Sequence, residues 1–144
     1  MEESKNHLLD GINLHDADVS EIRFEGKKVV FEIPVGLVND AIPVEEWRPC
    51  RLRFTTEDDL EDTDWADVHV SRRFRLFGTV CYFTIVISLK KLAEILKKKK
   101  GCFEIVTWNI ENCGVGFEGY LYYGRKSRNL NIYVWTRDME FIED

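Results

Sequence analysis

The chain has 144 residues, 44% of them hydrophobic and 12% aromatic, enough for one domain spanning 1–144 that buries about 70% of its extended surface without metal or disulfide staples. That composition excludes an intrinsically disordered chain, and no apolar run reaches the roughly 18 residues of a membrane-spanning helix. The net charge of −6 repels phosphate backbones and argues against nucleic acid as a partner.

The charge is unevenly shared. Residues 1–64 hold 17 acidic and 7 basic residues, and the remainder 9 acidic and 13 basic. The N-terminal Met1-Glu2-Glu3-Ser4-Lys5-Asn6-His7 is polar and acidic, so no secretion signal is expected. Cys50, Cys81, Cys102 and Cys113 form no C-x-x-C pair. They read as reduced thiols in a cytoplasmic protein, most of them small core residues.

Leu8, Leu9 and Ile12 are expected to tuck an N-terminal segment against the first hairpin. Leu14-His15-Asp16-Ala17-Asp18-Val19 then presents one imidazole and two carboxylates before alternating strands at about 18–24 and 28–34, joined by Glu25-Gly26-Lys27. A loop runs through Asn39, Pro43 and Trp47 to Pro49. The next strand, Cys50 to Thr55, alternates Cys50, Leu52 and Phe54 with Arg51, Arg53 and Thr55, one face core and the other solvent.

Six carboxylates fall within 57–64 (Glu57, Asp58, Asp59, Glu61, Asp62, Asp64), and Trp65 follows directly. A strand is expected in Asp67 to Val70, then the arginine-rich Arg72-Arg73-Phe74-Arg75-Leu76-Phe77. Val80 to Ile87, the longest apolar stretch, reads as a buried strand. Ser88 is a suitable N-cap for an amphipathic helix near 89–100. Leu89, Leu92, Ala93 and Leu96 form its apolar stripe, Lys97 to Lys100 complement its C-terminal dipole, and Gly101 stops it. Strands at Phe103–Trp108, Phe117–Tyr123 and Leu130–Trp135 follow, with Tyr120, Tyr122, Tyr133 and Trp135 giving the last pair large aromatic surfaces. The fold class is α+β: a mainly antiparallel sheet of about seven or eight strands with one principal helix.

His15, Asp16 and Asp18 are the candidate polar site. An imidazole beside carboxylates can act as a general base or metal ligand, but His7 and His69 do not complete a zinc-like spacing. The ordinary alternative is a capped turn with a structural hydrogen bond. The acidic run 57–64 lacks the glycine and terminal glutamate of a calcium loop. It reads as a solvated loop or as a surface for a basic partner anchored by Trp65. Gly114 to Gly119 lacks a phosphate-loop pattern and precedes a strand, and no cysteine sits beside a histidine in sequence. No metal and no cofactor is called for.

The opening Leu14-His15-Asp16-Ala17, followed by a hairpin, resembles small bacterial immunity proteins of polymorphic toxin systems. The resemblance spans about the first 35 residues and implies a cytoplasmic, non-enzymatic binder that occludes a toxin. Glu57, Asp58, Asp59, Glu61, Asp62, Asp64 and Trp65 would then meet a basic toxin domain through complementary charge. Two other classes compete. One is a small metal-dependent or hydrolytic enzyme built on His15, Asp16 and Asp18, and the other a structural domain that dimerises through its aromatic hairpin. Neither membrane nor nucleic acid is expected as a partner, and a monomer and a homodimer fit equally.

Overall fold

The computed structural model describes residues 12–56 and 66–143. Among these residues ten strands form two antiparallel sheets with one α-helix. In chain order they are β1 (Ala17–Val19), β2 (Glu21–Glu25), β3 (Lys28–Ile33), β4 (Cys50–Thr55), β5 (Ala66–Leu76) and β6 (Thr79–Ile87), then β7 (Cys102–Ile110), β8 (Val115–Tyr123), β9 (Lys126–Val134) and β10 (Met139–Glu143). The helix α1 spans Leu89–Lys99, between β6 and β7. The large sheet has the order β1-β7-β8-β9-β5-β6 and the small one β10-β4-β3-β2.

Period-two alternation in the sequence becomes burial. In β4, Cys50, Leu52 and Phe54 are buried and their neighbours are not. The inner faces of the two sheets meet at a phenylalanine cluster. Phe31 and Phe54 of the small sheet lie 5.0 Å apart by ring centroid, and Phe117 of the large sheet sits 5.9 and 6.0 Å from them. Such tilted and edge-on arrangements suit the ring quadrupoles. The small sheet's outer face is ionic: Arg53 pairs with Glu140 at 2.5 Å and Arg23 with Glu25 and Glu32. Val30, flanked across the strands by Arg23 and Arg53, is buried there, as expected beneath long side chains whose charged heads reach water.

The expected first hairpin divides differently. Residues 17–19 pair with β7 in the large sheet, and the chain crosses at Ser20 into the small one. One residue changes sheets. Ile12 packs on the core, whereas Leu8 and Leu9 lie outside the described residues.

The helix fulfils its pattern. Ser88 Oγ accepts the Lys91 N–H at 3.0 Å, and Leu89, Leu92 and Leu96 are buried beside β2 and β5. Its end is set differently from the expectation. Lys100, not Gly101, takes the left-handed conformation, with φ 51°. Gly101 is required for another reason: a Cβ there would lie 2.4 Å from the Tyr122 carbonyl oxygen.

The largest correction concerns Val80–Ile87. It is the edge strand of the large sheet, not an interior one. Asp67–Val70 and the arginine-rich segment join into the single strand β5, and β5 and β6 make a long hairpin whose outer half runs beyond the core. An apolar run fits a buried strand by composition, but here its end, Ile87, packs against the core while Val80, Tyr82, Phe83 and Val86 stay exposed.

Candidate functional site

The His15 turn is built on a bulge in β7. Ile105 pairs with Gly119 and Thr107 with Glu118, so Val106 is the extra residue and the ladder opens around it. The backbone N–H of Asp16 takes the Ile105 carbonyl at 2.7 Å, and His15 Nδ1 lies 2.7 Å from the Val106 carbonyl. A carbonyl only accepts, so Nδ1 is the donor to Val106, and Nε2 lies 3.4 Å from the Asp16 carboxylate. Leu14 and Ala17 are fully buried on either side, joined by the Ala17 N–H on the Leu14 carbonyl at 3.0 Å. Asp16 stands between them at φ 65°, a conformation its short polar side chain tolerates. The apolar residues of the motif anchor the turn and the polar ones face outward.

His15 and Asp16 line a recess of about 430 Å³ together with Asn13, Val38, Asn39 and Asp40. Asn39 and Asp40 come from the β3–β4 connection, which the sequence reading had not joined to the histidine. Asp18 is separated from this recess. It pairs across the strands with Glu104, on a sheet face where Tyr122 Oη lies 3.5 Å from the Glu104 carboxylate. Burial, then the Asp16 charge, pushes the Asp18 carboxyl above its usual value. Burial and the charges of Asp16 and Asp18 do the same to Glu104, against the Tyr122 hydrogen bond and His15. The motif thus splits into a polar recess and a carboxylate pair. Among the described residues no three His, Cys, Asp or Glu side chains converge in a geometry that would hold a metal ion.

All four cysteines are free. Cys50 is buried, while Cys81 and Cys102 are half-buried and Cys113 exposed, so the expected small-core role fits Cys50 best. The Cys102 thiol is pushed up by burial, then by Asp18 and Glu104, which disfavours a nucleophilic thiolate. The acidic run Glu57, Asp58, Asp59, Glu61, Asp62 and Asp64, with Trp65, lies outside the described residues.

The second candidate is the β5–β6 hairpin. Its turn, Phe77-Gly78, has φ 52° and 80°, the pattern of a two-residue turn that favours Asn-Gly. A bulky phenylalanine in that conformation is strained, yet Phe77 stands 98% exposed at the tip. Tyr82 and Val86 on the outer face are 71% and 64% exposed, and Phe74 and Phe83 meet edge-on at 5.5 Å on the other face. Arg72, Arg73 and Arg75 alternate with these apolar groups, opposite Phe83, Tyr82 and Val80. The sequence signal was present in the arginines, since a strand alternating with exposed cations cannot be buried on both faces.

No helix among the described residues is long and apolar enough to cross a membrane. Comparison with protein-family models, curated proteins and solved structures gives no match.

Proposed function

We propose that this chain is a non-enzymatic protein-binding domain. The observation that carries the reading is the β5–β6 hairpin, which displays Phe77, Tyr82 and Val86 to solvent. Clustered exposed apolar groups on a folded domain mark interaction surfaces, and a strained aromatic at a turn tip fits a residue kept for contact rather than for folding. The finer form of the reading is an immunity protein that neutralises a basic toxin. It draws support from the Leu14-His15-Asp16-Ala17 resemblance and from the carboxylates of 57–64, which would steer a basic domain toward Trp65.

The test is calorimetric titration with the purified product of the adjoining open reading frame. Binding that Phe77→Asp weakens, with circular dichroism unchanged, supports the hairpin as the contact. Binding that Phe77→Asp leaves intact but neutralisation of the acidic run weakens places the contact on residues 57–65. Turnover of a substrate by the purified chain, abolished by His15→Ala, would overturn the non-enzymatic reading.

A further inference from the structure

We propose that β6 is the pairing edge of a symmetric homodimer, in which the β6 strands of two copies run antiparallel about Phe83 and join two six-stranded sheets into one. The inference rests on the protein-binding reading above and names the partner of that hairpin as a second copy of this chain.

The four sheet edges differ in how they are protected. β1 is only three residues long, while β2 carries Glu21, Arg23 and Glu25, and β10 carries Glu140 and Glu143. Short strands and charges are the usual means of blocking edge-to-edge pairing. β6 has neither. Its nine residues, Thr79–Ile87, include no charge and no proline, and its pairing with β5 runs without a bulge. No described strand pairs with its free side.

Phe83 is the midpoint of the strand, so a two-fold axis there uses its full length. Pairing about Phe83 sets Val80 opposite Val86 and Cys81 opposite Ile85, with Tyr82 beside Thr84 and Phe83 against its own copy. Residues that face water in one chain thereby cover each other in the pair, as an isologous contact requires.

The antiparallel sense follows from the two-fold axis at Phe83, which sets the tip of each hairpin beside the base of the other. On the outer face of β5, Arg73 and Arg75 lie toward the tip and Asp67 at the base. The two β5 strands then stand about 14 Å apart, three strand spacings, so these charges are largely screened at physiological salt and do not oppose the join.

The experiment is sedimentation of the full chain across micromolar to submillimolar concentration, with hydrogen exchange read at the β6 amides. A dimer is expected, with β6 amides protected only where the dimer is populated. Tyr82→Lys and Val86→Lys, each at an exposed position, should weaken self-association by about a hundredfold or more, because a symmetric contact counts each change twice. Tyr120→Lys, on the aromatic β8 surface, should leave the dimer intact. A monomer at every concentration overturns the proposal, as does a dimer indifferent to both β6 variants. So does a monomer that binds anionic vesicles through Phe77, which would assign this face to a membrane. A monomer whose hairpin binds another protein sinks the self-pairing alone, whereas a monomer that binds no protein sinks the broader reading with it.

Discussion

His15 and Val106 lie 91 positions apart in the chain and 2.7 Å apart in the fold, ring nitrogen to backbone carbonyl. Together with the Asp16 N–H on the Ile105 carbonyl, the contact ties the His15 turn to the β7 bulge. Deleting a hydrogen bond of this kind costs about 1 kcal/mol net. His15→Ala should therefore lower unfolding stability by roughly that amount, read as a shift in the urea midpoint at unchanged slope. His15→Asn, whose amide nitrogen occupies the Nδ1 position, should recover part of it.

Asp18 and Glu104 make stability pH-dependent with a definite sign. Both carboxyls titrate above their usual values in the fold, so the folded state holds their protons more tightly than the unfolded chain. Their stabilising contribution is complete below the unfolded pKa and is lost as pH rises through the raised folded value. Asp18→Asn should thus raise the melting temperature at about pH 7 and leave it unchanged below about pH 3. The neutral-pH gain is about 0.5 kcal/mol, the size of a cross-strand pair term. Thermal melts of the variant and the parent at the two pH values check both halves.

Phe54 touches Phe31 in its own sheet and Phe117 in the other. Truncating it leaves a cavity where the two sheets meet. Phe54→Ala should cost about 3–5 kcal/mol, seen in chemical denaturation. On a domain of this size a loss at the upper end leaves little folded protein.

Gly119 faces the bulge from β8, where a Cβ would lie 1.8 Å from the Glu104 carbonyl oxygen. Both atoms are held by backbone, so neither can give way. Gly119→Ala should separate β7 from β8 locally, detected as lost amide protection along Cys102–Ile105.

Neutralising Asp58, Asp59, Glu61 and Asp62 should slow association with a basic partner and flatten its salt dependence, with dissociation little changed. Stopped-flow mixing at several ionic strengths measures this. An association rate indifferent to both the substitutions and the salt would remove the acidic run from the proposed contact.

What could be read from the sequence follows from how local its cause is. The Ser88 cap, the Leu89-Leu92-Leu96 stripe and the alternation of Cys50, Leu52 and Phe54 depend on near neighbours, and all are present in the structure. The expected seven or eight strands are roughly consistent with the ten among the described residues, and the short strands β1 and β10 are defined by remote partners, β7 and β4. The burial of Val80–Ile87 was misjudged for the same reason. Strand composition reports what a segment tolerates on its faces, and only the sheet order places this one at an edge, with Val80, Tyr82, Phe83 and Val86 exposed. At the candidate site, the adjacency of His15 and Asp16 was legible. The meeting with Asn39 and Asp40 depends on tertiary folding, and the separation of Asp18 on the left-handed turn at Asp16, after which Asp18 stands opposite Glu104.

β10 completes the small sheet by pairing with β4, and β1 completes the large one by pairing with β7. During synthesis, then, the β2–β3–β4 unit must wait with one flank bare until residues 139–143 have left the ribosome. The large sheet has its last strand, β9, by residue 134, so a nascent chain stalled between β9 and β10 would hold one finished layer and leave β4 open on the other.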